Sequence, residues 1–316
     1  MPVPLLLVGL LLAAGCSREK RRVIAVIPKS TSHLFWVATE AGARAAGQRF
    51  NVEILWNGPA SETDYSRQIQ IVDSMISRRV DGIALAAADR QGLVGSVDRA
   101  VAQGIPVTIF DSGLDSENYL TFVATNNYEA GRMAARELAG LVGGKGLIAV
   151  VLHVPGSRSS MDREKGFEEA IAREFPDIRI VAQQFGMSDR AKAMAVTENI
   201  LTANPDLAGL FASAEPSSMG AALALKSRGL SGKIKFVSFD SSASLVEDLR
   251  GGVISAMVVQ DPFRIGFEAV KTLVDKMEGK TPPKRMDLHA RIVHAGDLDQ
   301  PDVRRLLSPE VKNNRP

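Results

Sequence analysis

The chain has 316 residues, 45% of them hydrophobic and 23% charged; that is enough for one large domain or two medium ones with full cores, and it excludes a disordered chain. Its 38 Lys and Arg nearly balance 36 Asp and Glu, so no strong field gathers nucleic acid or anionic substrates, and a neutral ligand fits better than a phosphorylated one. A single cysteine excludes a disulfide framework and paired-thiol redox chemistry.

That cysteine, Cys16, follows an apolar run from Val3 to Ala14. The run is too short to span a bilayer but suits the core of an export signal. LAAGC resembles a bacterial lipobox, which implies a lipoprotein signal peptide over residues 1–15, lipidation at Cys16 and a solvated tether over 16–22. Such an anchor holds an otherwise soluble protein at a membrane surface.

From Val23 onward, short β-branched runs alternate with longer amphipathic stretches. VIAVIP (23–28) leads to a helix at about 33–49, then VEILWN (52–57) and a helix from Asp64 to Arg79, with Ser61 and Asp64 forming a capping box ahead of it. DGIALAA, a helix near 90–103 and PVTIFD follow. The same order recurs after residue 126, through GLIAVVLH (146–153), IRIVAQQ, LAGLFAS and KIKFVSFD (233–240), each followed by a helix. ISAMVVQDP and a helix at about 263–278 come last. Apolar strands separated by helices predict parallel sheets covered on both faces, and two runs of similar size predict two doubly wound α/β lobes.

Open α/β sheets bind ligands where their strands end, because loops and helix N-termini converge there. The residues closing these strands are Lys29 to Trp36, Asp89, Asp111, His153 to Arg163, Ala214 and Glu215, Asp240, and Gln260 with Asp261. Gly143, Gly144 and Gly146 end a helix and open a strand, the reverse of a phosphate loop, and read as a helix C-cap. No Gly-x-Ser-x-Gly elbow occurs, and His33, His153, His289 and His294 lack zinc-site spacing. No catalytic constellation, metal site or cofactor motif is expected.

At the strand ends, IAVIPKSTSHLFWVATEAGA, DGIALAAAD, GIPVTIFDSG, FVATNNYEAGRMAA, DREKGFEEAI, FVSFDSS and VVQDPFRIGFEAVK together resemble the ribose-type periplasmic sugar-binding proteins, solute receptors of bacterial ABC importers. The likeness runs from about residue 23 to 295. It implies a type I periplasmic binding protein fold, two α/β lobes joined by a three-strand hinge near 124–127, 256–261 and 284–291. On that pattern 23–124 plus 261–284 form the N-terminal lobe, 125–260 plus 285–300 the C-terminal lobe, and 301–316 a tail. The resemblance also implies a monomeric, non-enzymatic receptor in the periplasm, in contact with a membrane only through its lipid. Ser17 after the cysteine favours the outer membrane.

Carried over residue by residue, the family's roles fall on this chain as follows. Asp111 and Asp240 match carboxylates that accept from adjacent sugar hydroxyls, and charge-assisted bonds of this kind are among the strong ones. Arg163 matches a donor fork, and Gln260 both donates and accepts. Phe35 and Trp36 match the aromatic pair that rests against the C–H face of the ring, one facing ligand and one the lobe core. His33 stands where the family often has Asn, and Lys29 or Ser32 adds a donor. Ribose binders carry Arg after the first Asp and Asn before an acidic residue of the second lobe; this chain has Ser112, and Ala214 followed by Glu215. The loss of two donors changes which hydroxyls are read, so the expected ligand is a pentose, hexose or related polyol other than ribose.

Each candidate also has a plain structural role: turn or cap for the Asp residues, solvated helix charge for Arg163, strand terminus for Gln260, core for the aromatics. Sugar-responsive repressors share the fold but carry an N-terminal helix-turn-helix domain of about sixty residues, for which a first core strand at Val23 leaves no room. A sugar-type signal receptor feeding a sensor kinase would use the same cleft.

Overall fold

The computed structural model describes residues 21–307; the apolar leader and Cys16 lie outside the described residues. Twelve strands and ten α-helices alternate among the described residues: β1 (Val23–Ile27), α1 (Leu34–Arg49), β2 (Glu53–Trp56), α2 (Tyr65–Ser77), β3 (Gly82–Leu85), α3 (Val94–Ala102), β4 (Val107–Phe110), β5 (Thr121–Thr125), α4 (Asn127–Leu141), β6 (Gly146–Leu152), α5 (Arg158–Glu174), β7 (Ile178–Phe185), α6 (Arg190–Ala203), β8 (Leu207–Ala212), α7 (Glu215–Ser227), β9 (Lys235–Phe239), α8 (Ala243–Arg250), β10 (Ala256–Val259), α9 (Pro262–Met277), β11 (Arg285–Leu288), β12 (Arg291–Val293) and α10 (Pro301–Leu307).

Two six-stranded sheets result, in the orders β2–β1–β3–β4–β5–β11 and β7–β6–β8–β9–β10–β12. All neighbours run parallel except β10 and β12. Every residue of β3, β4 and β10 is buried, as two-sided coverage demands. One face of the first sheet packs on α2 and α3, the other on α1 and α9. The second sheet is covered by α6, α7 and α8 on one face and by α4 and α5 on the other.

The lobes share a local device. TEAGARAA (39–46) on α1 is echoed by YEAGRMAA (128–135) on α4, and KGFEEAI (165–171) on α5 by IGFEAVK (265–271) on α9. A Cβ at Gly42 would lie 1.9 Å from the Phe263 carbonyl oxygen and one at Gly266 2.1 Å from that of Thr39. In the other lobe, a Cβ at Gly131 would lie 1.8 Å from the Arg163 oxygen and one at Gly166 2.1 Å from that of Tyr128. Glycine at these four positions lets each helix pair cross with backbones touching.

The chain crosses between lobes after β5, between β10 and α9, and between β11 and β12. The crossings implied by the resemblance lie near 124–127, 256–261 and 284–291. Residues 285–288 belong to the first lobe, because β11 pairs with β5, Leu288 opposite Thr125; the third crossing therefore falls at 289–290. The segment read as a tail begins with α10, whose Val303 is buried in the second lobe's core; residues 308–316 lie outside the described residues. The capping box at Ser61 does not form. Asp64 itself caps α2, its Oδ1 accepting from the Arg67 amide at 3.1 Å, and Ser61 bonds Thr63 instead. Gly143 and Gly144 take positive φ, and the Gly144 amide donates to the Ala139 carbonyl, a helix C-cap as read.

Candidate functional site

The carboxyl ends of both sheets face one another, and the lobes are in contact across them. Asp111 follows β4 and Asp240 follows β9, and the two sit in matching backbone traps. Each has a left-handed φ, 56° and 66°, which Asp tolerates better than most residues. Each amide donates at 2.9 Å into the next strand, Asp111 to the Val123 carbonyl and Asp240 to that of Val258. The turn aims both carboxylates off the sheet end into the space between the lobes.

A small cavity lies there between the lobes. Its lining includes all nine side chains expected from the sequence: Lys29, His33, Phe35, Trp36 and Asp111 from the first lobe, and Arg163, Glu215, Asp240 and Gln260 from the second lobe and its hinge. Glu62, which sequence reasoning passed over, joins them, as do Ser159 and Ser160, which it named only within the strand-end stretch from His153 to Arg163. His153, expected only as a strand end, lines it too.

Glu62 organises the first-lobe wall. It is 4% exposed and accepts from Trp36 Nε1–H at 2.9 Å and from His153 Nε2 at 2.8 Å, with Lys29 Nζ at 3.5 Å. Burial alone would raise its pKa, but Lys29 and His153 overcome that and hold the carboxyl well below its ordinary value. Lys29 in turn donates to Ser157 Oγ (3.1 Å) and Ser159 Oγ (3.4 Å) of the other lobe and lies 3.6 Å from Asp111 Oδ2. Burial opposes its charge, yet Glu62 and Asp111 keep the ammonium above its usual pKa. For Asp111 burial wins and pushes the carboxyl up, Lys29 opposing.

The two aromatics divide their labour. Trp36 is 2% exposed, packs edge-on against Phe35 (4.9 Å) and Phe110 (6.3 Å), and belongs to the first lobe's core with its indole N–H tied to Glu62. Phe35 only packs against that core and lines the cavity beside it.

On the second-lobe wall, Arg163 stacks over Phe239, its Cζ 3.4 Å from the ring centroid. Its terminal nitrogens donate to the Ser213 carbonyl and to Asn127 Oδ1 (2.7 Å), and its Nε has no hydrogen-bond partner among the described residues. Burial lowers its pKa, with Asp240 and Asp111 opposing. Asp240 Oδ1 accepts from Gln260 Nε2 at 2.8 Å and Oδ2 from the Glu215 amide at 3.1 Å. Burial, and then Asp240, push Glu215 up to about 7. His33 shares a 2.9 Å hydrogen bond with Ser188 across the lobes, and burial lowers its pKa.

Glu62 had a signal. It stands in the loop that leaves β2, so the strand-end rule extended to that strand would have included it. His153, 91 positions from Glu62, could not have been paired with it from the sequence.

Fold and cavity together define a two-lobed α/β protein of the receptor type, with a polar-lined cavity between facing sheet ends. The chain belongs to the periplasmic binding protein family, whose model, described as "Periplasmic binding protein domain", matches residues 24–281. It is similar to the D-allose-binding periplasmic protein of Escherichia coli, 29% identical over 286 residues that cover 88% of this chain and 91% of that protein. It is likewise similar to the D-ribose/D-allose-binding protein of Pseudomonas aeruginosa, 29% identical over 85% of this chain and 86% of the other. Among solved structures, an ABC transporter solute binding protein from Agrobacterium vitis with bound D-fucose is 34% identical with a TM-score of 0.88, covering 90% of this chain and 99% of that one. A carbohydrate transporter solute binding protein from Agrobacterium radiobacter in complex with D-arabinose has a TM-score of 0.89 at 28% identity, covering 92% and 99%.

Proposed function

We propose that this chain is the sugar-capturing subunit of an ABC-type importer. It takes a monosaccharide, a pentose, hexose or related polyol, between its closing lobes and delivers it unchanged to a membrane permease. The observation that carries this reading is the cavity itself: nine side chains from both lobes converge on it, and Asp111 Oδ2, Gln260 Oε1 and Arg163 Nε are buried there without hydrogen-bond partners among the described residues. A hydroxyl array satisfies such a mixed set of acceptors and donors. The similarity to receptors whose names carry allose, ribose, arabinose and fucose supports the ligand class. In this reading Phe35 rests against the ring's C–H face, Lys29 and His33 border the first-lobe side, and Cys16 carries the lipid that tethers a monomer in the periplasm, at the outer membrane.

A thermal-shift screen of monosaccharides tests it. A ligand at a hundred times its Kd adds about 2.7 kcal/mol, which is a rise of roughly 5–10 °C. If no sugar or polyol stabilises the protein, the reading fails.

A further inference from the structure

Glu215 is 2% exposed, yet its Oε2 has no hydrogen-bond partner among the described residues. Its neighbour Ala214 offers no side-chain donor. The protein's own donors are largely spent: Lys29 on Ser157, Ser159, Glu62 and Asp111, and the terminal nitrogens of Arg163 on Ser213 and Asn127. The unpaired buried side-chain atoms of the cavity lining among the described residues are the acceptors Asp111 Oδ2, Gln260 Oε1 and Glu215 Oε2, the donor Arg163 Nε, and His153 Nδ1, an acceptor when Nε2 carries the ring proton that Glu62 accepts. A sugar has oxygens that only accept or that accept as well as donate, so a cavity this poor in donors leaves some of them unread.

We propose that Glu215 works as a neutral carboxylic acid, donating its O–H to an oxygen of the captured sugar, so that closure of the lobes takes up a proton. The inference rests on the receptor reading above and adds to it a residue role and a pH dependence.

The groups facing Glu215 favour that form. Asp240 is bonded to the Glu215 backbone amide, and both its oxygens already accept from N–H groups, while Glu215 Oε2 has no partner among the described residues and is the oxygen free to hold a proton. Two carboxylates in one desolvated site keep a proton between them. Arg190 on α6 and the amides of Leu34 and Phe35 at the start of α1 favour the anion, but burial and Asp240 outweigh them. The sign follows. Opening the lobes is expected to return Glu215 to water and to its ordinary 4.5; with the lobes in contact it holds its proton up to about 7. Closure therefore takes up a proton between those limits, and affinity is greatest below 4.5, falls as pH rises towards 7 and flattens above it.

The test measures sugar affinity and proton uptake by calorimetry in buffers of different ionisation enthalpy, on wild type and Glu215→Gln, whose amide is a permanent donor. D-Allose, D-ribose, D-arabinose and D-fucose are the probes, and the tightest is carried forward. Asp111 and His33 titrate nearby in both proteins, so the difference between the two proteins decides. Wild-type affinity is expected to fall at least tenfold between pH 5 and 7. Glu215→Gln is expected to lose that fall and, at pH 6, to take up about one proton fewer per sugar bound. Equal proton uptake by the two proteins, affinity that rises with pH, or a folded Glu215→Gln that no longer binds would overturn the proposal. If that variant does not fold, Glu215→Ala takes its place and must likewise take up about one proton fewer than wild type at pH 6; equal uptake sinks the idea. Failure of wild type to bind any sugar at any pH refutes the receptor reading instead, and this inference with it.

Discussion

Glu62→Gln tests the idea that one buried carboxylate holds the first-lobe wall together. The substitution keeps size and one carbonyl oxygen, which can still accept from Trp36, but removes the charge that Lys29 faces at 3.5 Å and His153 at 2.8 Å. Lys29 and Glu62 are both about 95% buried. Removing one partner of a buried pair costs about 3–5 kcal/mol because the other charge is left uncompensated. Asp111 at 3.6 Å still compensates Lys29 in part, so the low end, about 3 kcal/mol, is expected at pH 7. Urea unfolding followed by tryptophan fluorescence measures it, with Trp36 and Trp56 the chain's two reporters. A Lys29→Met partner completes the cycle: the double variant should be more stable than the sum of the two losses implies, by at least about 1 kcal/mol, because the orphaned ammonium is gone. The carboxyl's pKa is depressed, so its contribution is present above 4.5 and fades as pH falls through the folded-state value. The gap between wild type and Glu62→Gln should therefore narrow in acid. A loss under about 0.5 kcal/mol at pH 7, the level of an ordinary surface substitution, or strict additivity with Lys29→Met would refute the reasoning.

Asp111→Asn keeps a residue that tolerates the left-handed turn but removes the charged acceptor. Sugar affinity should drop at least about tenfold while the unliganded protein melts within a few degrees of wild type; unchanged affinity would place the sugar elsewhere. Gly131→Ala sets a methyl where the Arg163 carbonyl lies at 1.8 Å. It should destabilise the second lobe by about 3 kcal/mol and, by displacing α5, weaken binding through Arg163; a stable, fully binding variant would show that the helix pair tolerates separation.

Much of the site was legible because strand ends converge in parallel sheets whatever the side chains are. Locating the ends of β1, β4, β8, β9 and β10 sufficed to pick Lys29, Asp111, Glu215, Asp240 and Gln260, and all five line the cavity. The roles within that set were not legible. Phe35 and Trp36 are consecutive on α1, and their sequence positions carry no sign of which meets Glu62. Arg163 looked like a free donor fork, yet Ser213 and Asn127, 50 and 36 positions away, occupy its terminal nitrogens.

By itself the sequence determined the periodicities, and with them two lobes of alternating strand and helix, the glycines that let α1 meet α9 and α4 meet α5, and the acidic residues that close β4 and β9. These are properties of neighbours along the chain, decided by steric and hydrophobic preferences acting over a few residues. Only the tertiary structure decided that β11 joins the first sheet and β12 the second, that Glu62 meets His153 across the cleft, and that Glu215 is buried beside Asp240 with an oxygen unpaired. Burial and partner distance set the charge a carboxyl carries, and both depend on what the other lobe brings to it.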